Sequence, residues 1–163
     1  MKSHLNALKL AKQTGWANTL IVEDDAIWKD VSDSYAIFEG LVNKPYDVIM
    51  LGGTFPNFDP STYKLFVAKT SSAYLFNSSY YDTLINKATD VLKMFEYEMQ
   101  HDKSFSKQDR NTLLVKVAYD LVVFEPLQQT DSWYIVYPPL MIQSKSYSNI
   151  EKREIDYNAF FQL

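Results

Sequence analysis

Cysteine is absent from this chain of 163 residues, which excludes disulfide staples, thiolate metal ligands and a cysteine nucleophile. Any bound metal is therefore expected to be held through oxygen. No apolar run approaches the ~20 residues that a bilayer-spanning helix needs. The chain also opens on a polar amphipathic segment where a signal peptide would carry an apolar run, so a soluble protein, cytoplasmic or virion-associated, is expected. A basic stripe is missing too. The 16 Lys and Arg are interspersed with 20 Asp and Glu for a net charge of −4, which argues against a nucleic-acid partner. Repeats and low-complexity tracts are lacking. The length suits one well-buried core, so residues 1–163 are expected to form a single domain.

Aromatic residues are plentiful, with 12 Tyr and 10 Phe; dense core packing, a sugar-stacking surface or a subunit interface would each use them. Leu5, Leu8 and Ala11 recur at helical spacing behind Ser3, the predicted cap, and Gly15 stops that helix before a strand over Asn18–Val22. A second helix is predicted over Ser32–Val42, with Tyr35, Phe38 and Leu41 on one face, followed by a buried strand over Asp47–Leu51 and a sharp turn at Gly52-Gly53. Residues 54–62 hold two prolines and no periodicity, which predicts a loop. Short strands are expected near Tyr63–Val67 and Ala73–Phe76, and a long helix over Ser79–Gln100. A charged link over His101–Arg110, a helix around Leu113–Val123 and a strand over Trp133–Tyr137 follow. The tail ends in Tyr157, Phe160 and Phe161, which suits docking better than disorder.

The segment Thr19-Leu-Ile-Val-Glu-Asp-Asp-Ala-Ile-Trp28 carries the most chemistry. An apolar strand ends in three consecutive carboxylates, Glu23, Asp24 and Asp25, and apolar residues resume at once. In open α/β sheets, ligands collect beyond the carboxyl ends of strands, and three adjacent like charges call for a cation or basic ligand. The same residues serve equally as turn formers or helix caps. Alternation along an extended chain places Glu23 and Asp25 on one side and Asp24 on the other.

Upstream lie Ser3-His4-Leu5, a helix and Gly15-Trp16. Downstream, in order, come Tyr46-Asp-Val-Ile-Met-Leu-Gly-Gly53, Thr70-Ser-Ser-Ala-Tyr-Leu-Phe76, Tyr119-Asp120-Leu121, Pro138-Pro-Leu-Met-Ile-Gln143 and Ser146-Tyr-Ser-Asn-Ile150. With Glu23-Asp24-Asp25, this ordered set resembles glycosyltransferase family 25, the lipopolysaccharide and collagen glycosyltransferases, across almost the whole chain.

The resemblance implies an α/β fold of GT-A-like, truncated Rossmann-like type: a three-layer sandwich with a mixed sheet. It implies transfer of a hexose or N-acetylhexosamine from a UDP-sugar to a hydroxyl of a carbohydrate or protein, inverting, with slow donor hydrolysis in the absence of acceptor. Mn²⁺ or Mg²⁺ would sit on the acidic motif, with Asp25 as direct metal ligand, Glu23 as a second, and Glu23 or Asp24 turned towards ribose or base. Asp120 matches a family carboxylate and is the candidate general base; Asp47 is its rival, better suited to ordering its own strand. His4 is placed to donate to phosphate near a helix amino end, although a lone histidine there is more often structural. Gln143, Ser146 and Ser148 belong to a block resembling a loop that closes over the donor, in which Ser148-Asn149-Ile150 replaces the more usual Ser-Asp-Ile. Lys69 and Thr70 can reach phosphate or sugar hydroxyls, or simply end a solvated strand.

Relatives of this type usually carry an additional strand and helix upstream of the Ser-His-Leu block, which implies either a minimal enzyme whose nucleotide pocket is open or completed by a second subunit, or a fragment that has lost donor affinity; a homodimer is expected. Two rivals stand beside the transferase. One is a nucleotide-sugar-binding or assembly protein without transfer activity; the other is an acidic-site phosphohydrolase or nuclease, which normally needs carboxylates on neighbouring strands for two metals. Abundant Asn, Lys, Ile and Tyr fit the A/T-rich coding of a virus or intracellular microbe.

Overall fold

A computed structural model describes residues 1–101, 118–148 and 153–156, and shows a mixed α/β protein built on a mixed sheet. Helix α1 spans Lys2–Thr14 and buries Leu5, Leu8 and Ala11, as their spacing predicts. It starts two residues earlier than expected: Met1 stands at the cap position with no side-chain cap, and Ser3 lies inside the first turn. Its end follows the expectation. Gly15 takes φ 73, and the N–H groups of Gly15 and Trp16 return to the carbonyls of Lys12 and Ala11 at 3.1 and 3.4 Å, the paired closure that a left-handed glycine permits.

Strand β1 (Asn18–Val22) is followed by β2 (Ala26–Trp28), α2 (Ser32–Val42) and β3 (Val48–Met50). Next come β4 (Thr54–Phe58), β5 (Leu65–Lys69) and β6 (Ala73–Asn77). A single 3₁₀ turn over Ser78–Tyr80 leads into α3 (Tyr81–His101). A π-helical turn over Asp120–Phe124 runs into α4 (Glu125–Gln128). Strands β7 (Trp133–Ile135), β8 (Met141–Gln143), β9 (Ser146–Ser148) and β10 (Arg153–Ile155) complete the described chain. The main sheet has the order β1-β6-β3-β7, with β6 antiparallel to β1 and β3, and β7 parallel to β3. Pairs β2-β8, β4-β5 and β9-β10 form separate ribbons.

Strand β3 is inaccessible along its whole length because side chains alternate between two covered faces. Val48 and Met50 join Tyr74, Phe76, Trp133 and Ile135 against Leu5 and Leu8 of α1 and Leu84 and Ala88 of α3. Ile49 faces the other way, packing with Leu51, Ala73, Val136 and Leu140 against Leu41 of α2, where Tyr35 and Phe38 also lie. The face predicted for α2 is therefore the face it buries.

The predicted loop over 54–62 is half strand. β4 contains Pro56 and still pairs with β5, because the register shifts between Thr54 and Asn57 and again before Phe58. That irregularity leaves the proline where no ladder N–H is required, in a two-stranded ribbon that tolerates it. The turn that follows is built by Asp59, which accepts from the Ser61 N–H at 2.9 Å and the Thr62 hydroxyl at 2.8 Å. Accordingly β5 begins at Leu65, two residues later than expected.

Gly53 is needed for close approach, not for a special turn. A Cβ there would stand 3.0 Å from the Ala68 Cβ and 3.3 Å from the Lys69 carbonyl oxygen. Gly53→Ala is expected to destabilise the fold by about 1–3 kcal/mol through overpacking, visible as a lower urea midpoint with an unchanged slope.

The predicted link over 101–110 beyond His101, the start of the predicted helix over 113–123, the Asn149-Ile150 pair and the aromatic tail at Tyr157, Phe160 and Phe161 lie outside the described residues. No described helix is long and apolar enough to cross a membrane.

Candidate functional site

The acidic motif sits where β1 ends. Val22 pairs with Ala73 in the antiparallel β1-β6 register, and the Glu23 N–H donates to the Ser72 carbonyl at 2.8 Å. The segment leading into β6, Thr70-Ser71-Ser72, is thereby brought beside the carboxylates. Beyond Glu23 the extended chain gives way to a turn, closed by Ala26 N–H to the Glu23 carbonyl at 3.1 Å. Glu23 and Asp25 are half-buried and Asp24 is exposed, the sidedness expected from alternation but produced by a turn.

Glu23 is tightly held. Its Oε1 accepts from the Ser71 hydroxyl at 2.6 Å and meets His4 Nε2 at 3.1 Å, while Gln143 Nε2 lies 3.5 Å from Oε2. Because an ionised carboxylate only accepts, His4 carries a proton on Nε2. His4 Nδ1 meets the Tyr74 hydroxyl at 3.0 Å, and the ring stacks on Tyr119 with centroids 4.7 Å apart. Both nitrogens of the ring expected to donate to phosphate thus have partners within the protein. Burial pushes the Tyr74 and Tyr119 phenols upward, so both remain neutral hydroxyls.

Burial alone would raise the Glu23 carboxyl, but the bonds from His4 and Ser71, aided by the His4 charge, outweigh it and lower the pKa below its ordinary 4.5. Asp25 goes the other way: burial first, then repulsion from Glu23 and Asp24, raise it above 3.8, with Gln143 partly offsetting the rise. Its Oδ1 is buried and has no hydrogen-bond partner among the described residues.

These shifts predict a pH signature in the metal-free protein. The stability Glu23 contributes through its depressed pKa is complete above 4.5 and is lost as pH falls through the folded value. Ser71→Ala removes one of the bonds responsible. The variant should lose about 1 kcal/mol at neutral pH, with the gap to wild type closing as pH drops below 4.5. Urea unfolding across pH checks this; a gap that widens in acid would contradict it.

Asp120 arrives from a distant segment. The π-helical turn that it opens puts the preceding residue, Tyr119, on His4 and lets Asp120 Oδ2 accept the Thr70 N–H at 2.8 Å. Single π turns of this kind concentrate at functional sites. Thr70 itself has φ 77, a costly conformation for a β-branched residue, and its hydroxyl accepts from the fully buried Ser72 at 3.2 Å. The Thr70 backbone N–H thus joins Asp120 to the segment beside Glu23, and its hydroxyl is engaged by Ser72.

Two cavities share a wall made by His4 and Glu23. One, of about 390 Å³, is lined by Met1, Lys2, Ser71, Leu92, Phe95, Ala118, Tyr119 and Asp120 besides that wall. The other, of about 370 Å³, is lined by Ser3, Ile21, Val22 and Asp24 besides it. Asp47 belongs to neither. Its Oδ2 accepts the Ser132 N–H at 2.8 Å, and it lines a third cavity with Asn18, Tyr46 and Asn77 at the opposite end of the sheet. Asp47 thus ties the chain entering β3 to the turn before β7. Lys69 is exposed at the end of β5 and lines none of these cavities. The side chains of Ser146 and Ser148 are outside the described residues.

Ser71, Tyr74 and Tyr119 were not singled out as site residues in the sequence. Ser71 and Tyr74 follow from the β1-β6 register, which no local pattern reveals, and Tyr119 from its place beside Asp120.

No family model matches this chain, and no curated protein does.

Proposed function

We propose that this protein is a metal-dependent glycosyltransferase of GT-A-like, three-layer fold. It moves a hexose or N-acetylhexosamine from a UDP-sugar to a hydroxyl of a carbohydrate or protein, with inversion, and hydrolyses the donor slowly when acceptor is lacking. The observation that carries the reading is the convergence of Glu23 and Asp120, from opposite halves of the chain, on one cavity beside the amino end of α1. A sheet strand that ends in carboxylates facing a cleft is where α/β proteins bind ligands.

The residues present fit a divalent cation shared with the donor. Among the described residues no three His, Asp or Glu side chains come together to cage a metal. Asp25 has an unpartnered buried oxygen, and Gln143 contacts both it and Glu23. Mg²⁺ is commonly held by one or two carboxylates with substrate phosphates completing the shell. Asp25 and the Oε2 side of Glu23 are therefore assigned to Mn²⁺ or Mg²⁺, which when bound supplies Lewis-acid stabilisation of the leaving diphosphate. Asp24, exposed at the lip, is left to contact ribose or base.

Asp120 then serves as the base that takes the acceptor hydroxyl's proton. Thr70 fixes one of its oxygens, and His4 and Ser71 hold Glu23 so that the two carboxylates keep a constant relation. A homodimer belongs with this reading. β1 is an edge strand of the main sheet with neither charge nor proline, and Leu20 and Val22 on it are exposed, so a second copy would cover it.

A panel of nucleotide sugars assayed for nucleotide release with Mn²⁺, Mg²⁺ and chelator tests the proposal; no chelator-sensitive release with any donor would overturn it. The second reading, a nucleotide-sugar-binding or assembly protein, draws on the internal bonds that already engage Glu23 and Asp120. It predicts donor binding without release.

A further inference from the structure

The main sheet has two edges, and only that of β1 is uncovered among the described residues. At β7 the Ile135 N–H donates to the Tyr63 carbonyl at 3.1 Å, and Lys64 bridges to Tyr134. The ladder between β1 and β6 is pinned at both ends. Ser78 N–H reaches the Ala17 carbonyl at 2.8 Å, and Glu23 N–H reaches the Ser72 carbonyl at 2.8 Å. Antiparallel bonding alternates along a strand, so Ala17, Thr19, Ile21 and Glu23 turn their backbone groups towards β6. Asn18, Leu20 and Val22 turn theirs outward. The side chains of these three share one sheet face, on which Leu20 is 46% and Val22 45% exposed.

This edge is complementary to itself. In an antiparallel second copy, outward residues meet outward residues only when the two-fold axis passes through a residue pair. Centred on Leu20, the register sets Leu20 against the partner's Leu20 and Val22 against the partner's Asn18, and all three outward residues of each strand are bonded. Centring on Ile21 calls instead on Asp24, which lies in the turn after β1; centring on Thr19 calls on Trp16, whose N–H already goes to the Ala11 carbonyl. Charge favours the same register. β1 is uncharged and the carboxylates lie beyond one end only, so a parallel pair would set two acidic turns side by side. The Leu20-centred pair holds the two Glu23 residues ~20 Å apart along the strands. It also brings the Asn18 end, with exposed Lys44 on the same cavity, towards the partner's carboxylates.

We propose that two copies join through β1, antiparallel and centred on Leu20, into one continuous sheet. The partner's Ala17 and Trp16 then lie alongside Glu23 and Asp24, so each copy borders the smaller cavity of the other. This deepens the homodimer that belongs with the transferase reading, while its evidence is the sheet edge and not the chemistry.

Light scattering of the full chain across micromolar concentrations should give twice the mass of one chain. Leu20→Lys sets like charges face to face on the axis and should weaken the dimer at least about tenfold, with an unchanged circular dichroism spectrum. Because the chain has no cysteine, single cysteines report the register. Leu20→Cys should be cross-linked efficiently by a short bismaleimide, and Val22→Cys, ~13 Å from its own copy, poorly. Should Leu20→Lys misfold, the cysteine pair decides. A monomeric wild type, a Leu20→Lys protein as dimeric as wild type, or cross-linking of Val22→Cys that equals that of Leu20→Cys overturns the inference. A dimer with this register and no turnover of any donor removes the transferase reading alone; donor turnover by a monomeric wild type removes the inference alone.

Discussion

Asp120→Asn is expected to reduce sugar transfer by roughly 10²–10⁴-fold, the usual worth of a positioned base, and to leave nucleotide affinity unchanged. The geometry makes this substitution a clean probe. Asparagine keeps a carbonyl oxygen for the Thr70 N–H, which Asp120 Oδ2 now accepts at 2.8 Å, so the left-handed Thr70 and the start of β6 keep their support. What is lost is the capacity to take a proton. Loss of kcat with donor binding retained assigns the interaction to the transition state. Transfer at the wild-type rate would show that the base lies elsewhere. Asp47 is then no substitute, because it serves the far end of the sheet; Glu23, the other carboxylate on the same cavity, becomes the next residue to neutralise.

The parts of the fold that local periodicity dictates were legible before any coordinates. Leu5, Leu8 and Ala11 give α1, the apolar run Val48–Met50 gives a strand covered on both faces, and Tyr35, Phe38 and Leu41 give the buried side of α2. The acidic end of β1 was legible for the same reason. What escaped depends on pairing. Pro56 reads as a loop residue unless its place at a register shift opposite β5 is known. Ser71 gains its meaning only when β6 lies antiparallel to β1, and Thr70 only when Asp120 arrives from beyond α3. His4 shows the limit most plainly. Its position near a helix amino end suggests anion binding, yet Tyr74 and Glu23 occupy both of its nitrogens.

Asp25→Ala should make the metal-free protein more stable and abolish cation-dependent donor binding. Two observations set the opposite signs. The Asp25 carboxyl is raised above its ordinary 3.8 by burial and by Glu23 and Asp24, and its Oδ1 is buried with no partner among the described residues. A carboxyl with a raised folded pKa imposes no penalty below 3.8 and a full penalty once pH has risen through the folded value. Removing it should therefore stabilise the fold at neutral pH, and the gain should vanish in acid. With much of the group in contact with solvent, screening limits the gain to about 0.3–1 kcal/mol. A charge kept where it weakens the fold is explained if a cation neutralises it in the working state. Wild type should accordingly gain thermal stability from Mn²⁺ plus UDP while Asp25→Ala gains none, since a ligand stabilises only through its preference for the folded state. A variant that still responds to Mn²⁺ plus UDP as wild type does would remove Asp25 from the cation site. One that is less stable at neutral pH would show that its bond with Gln143 outweighs the repulsion.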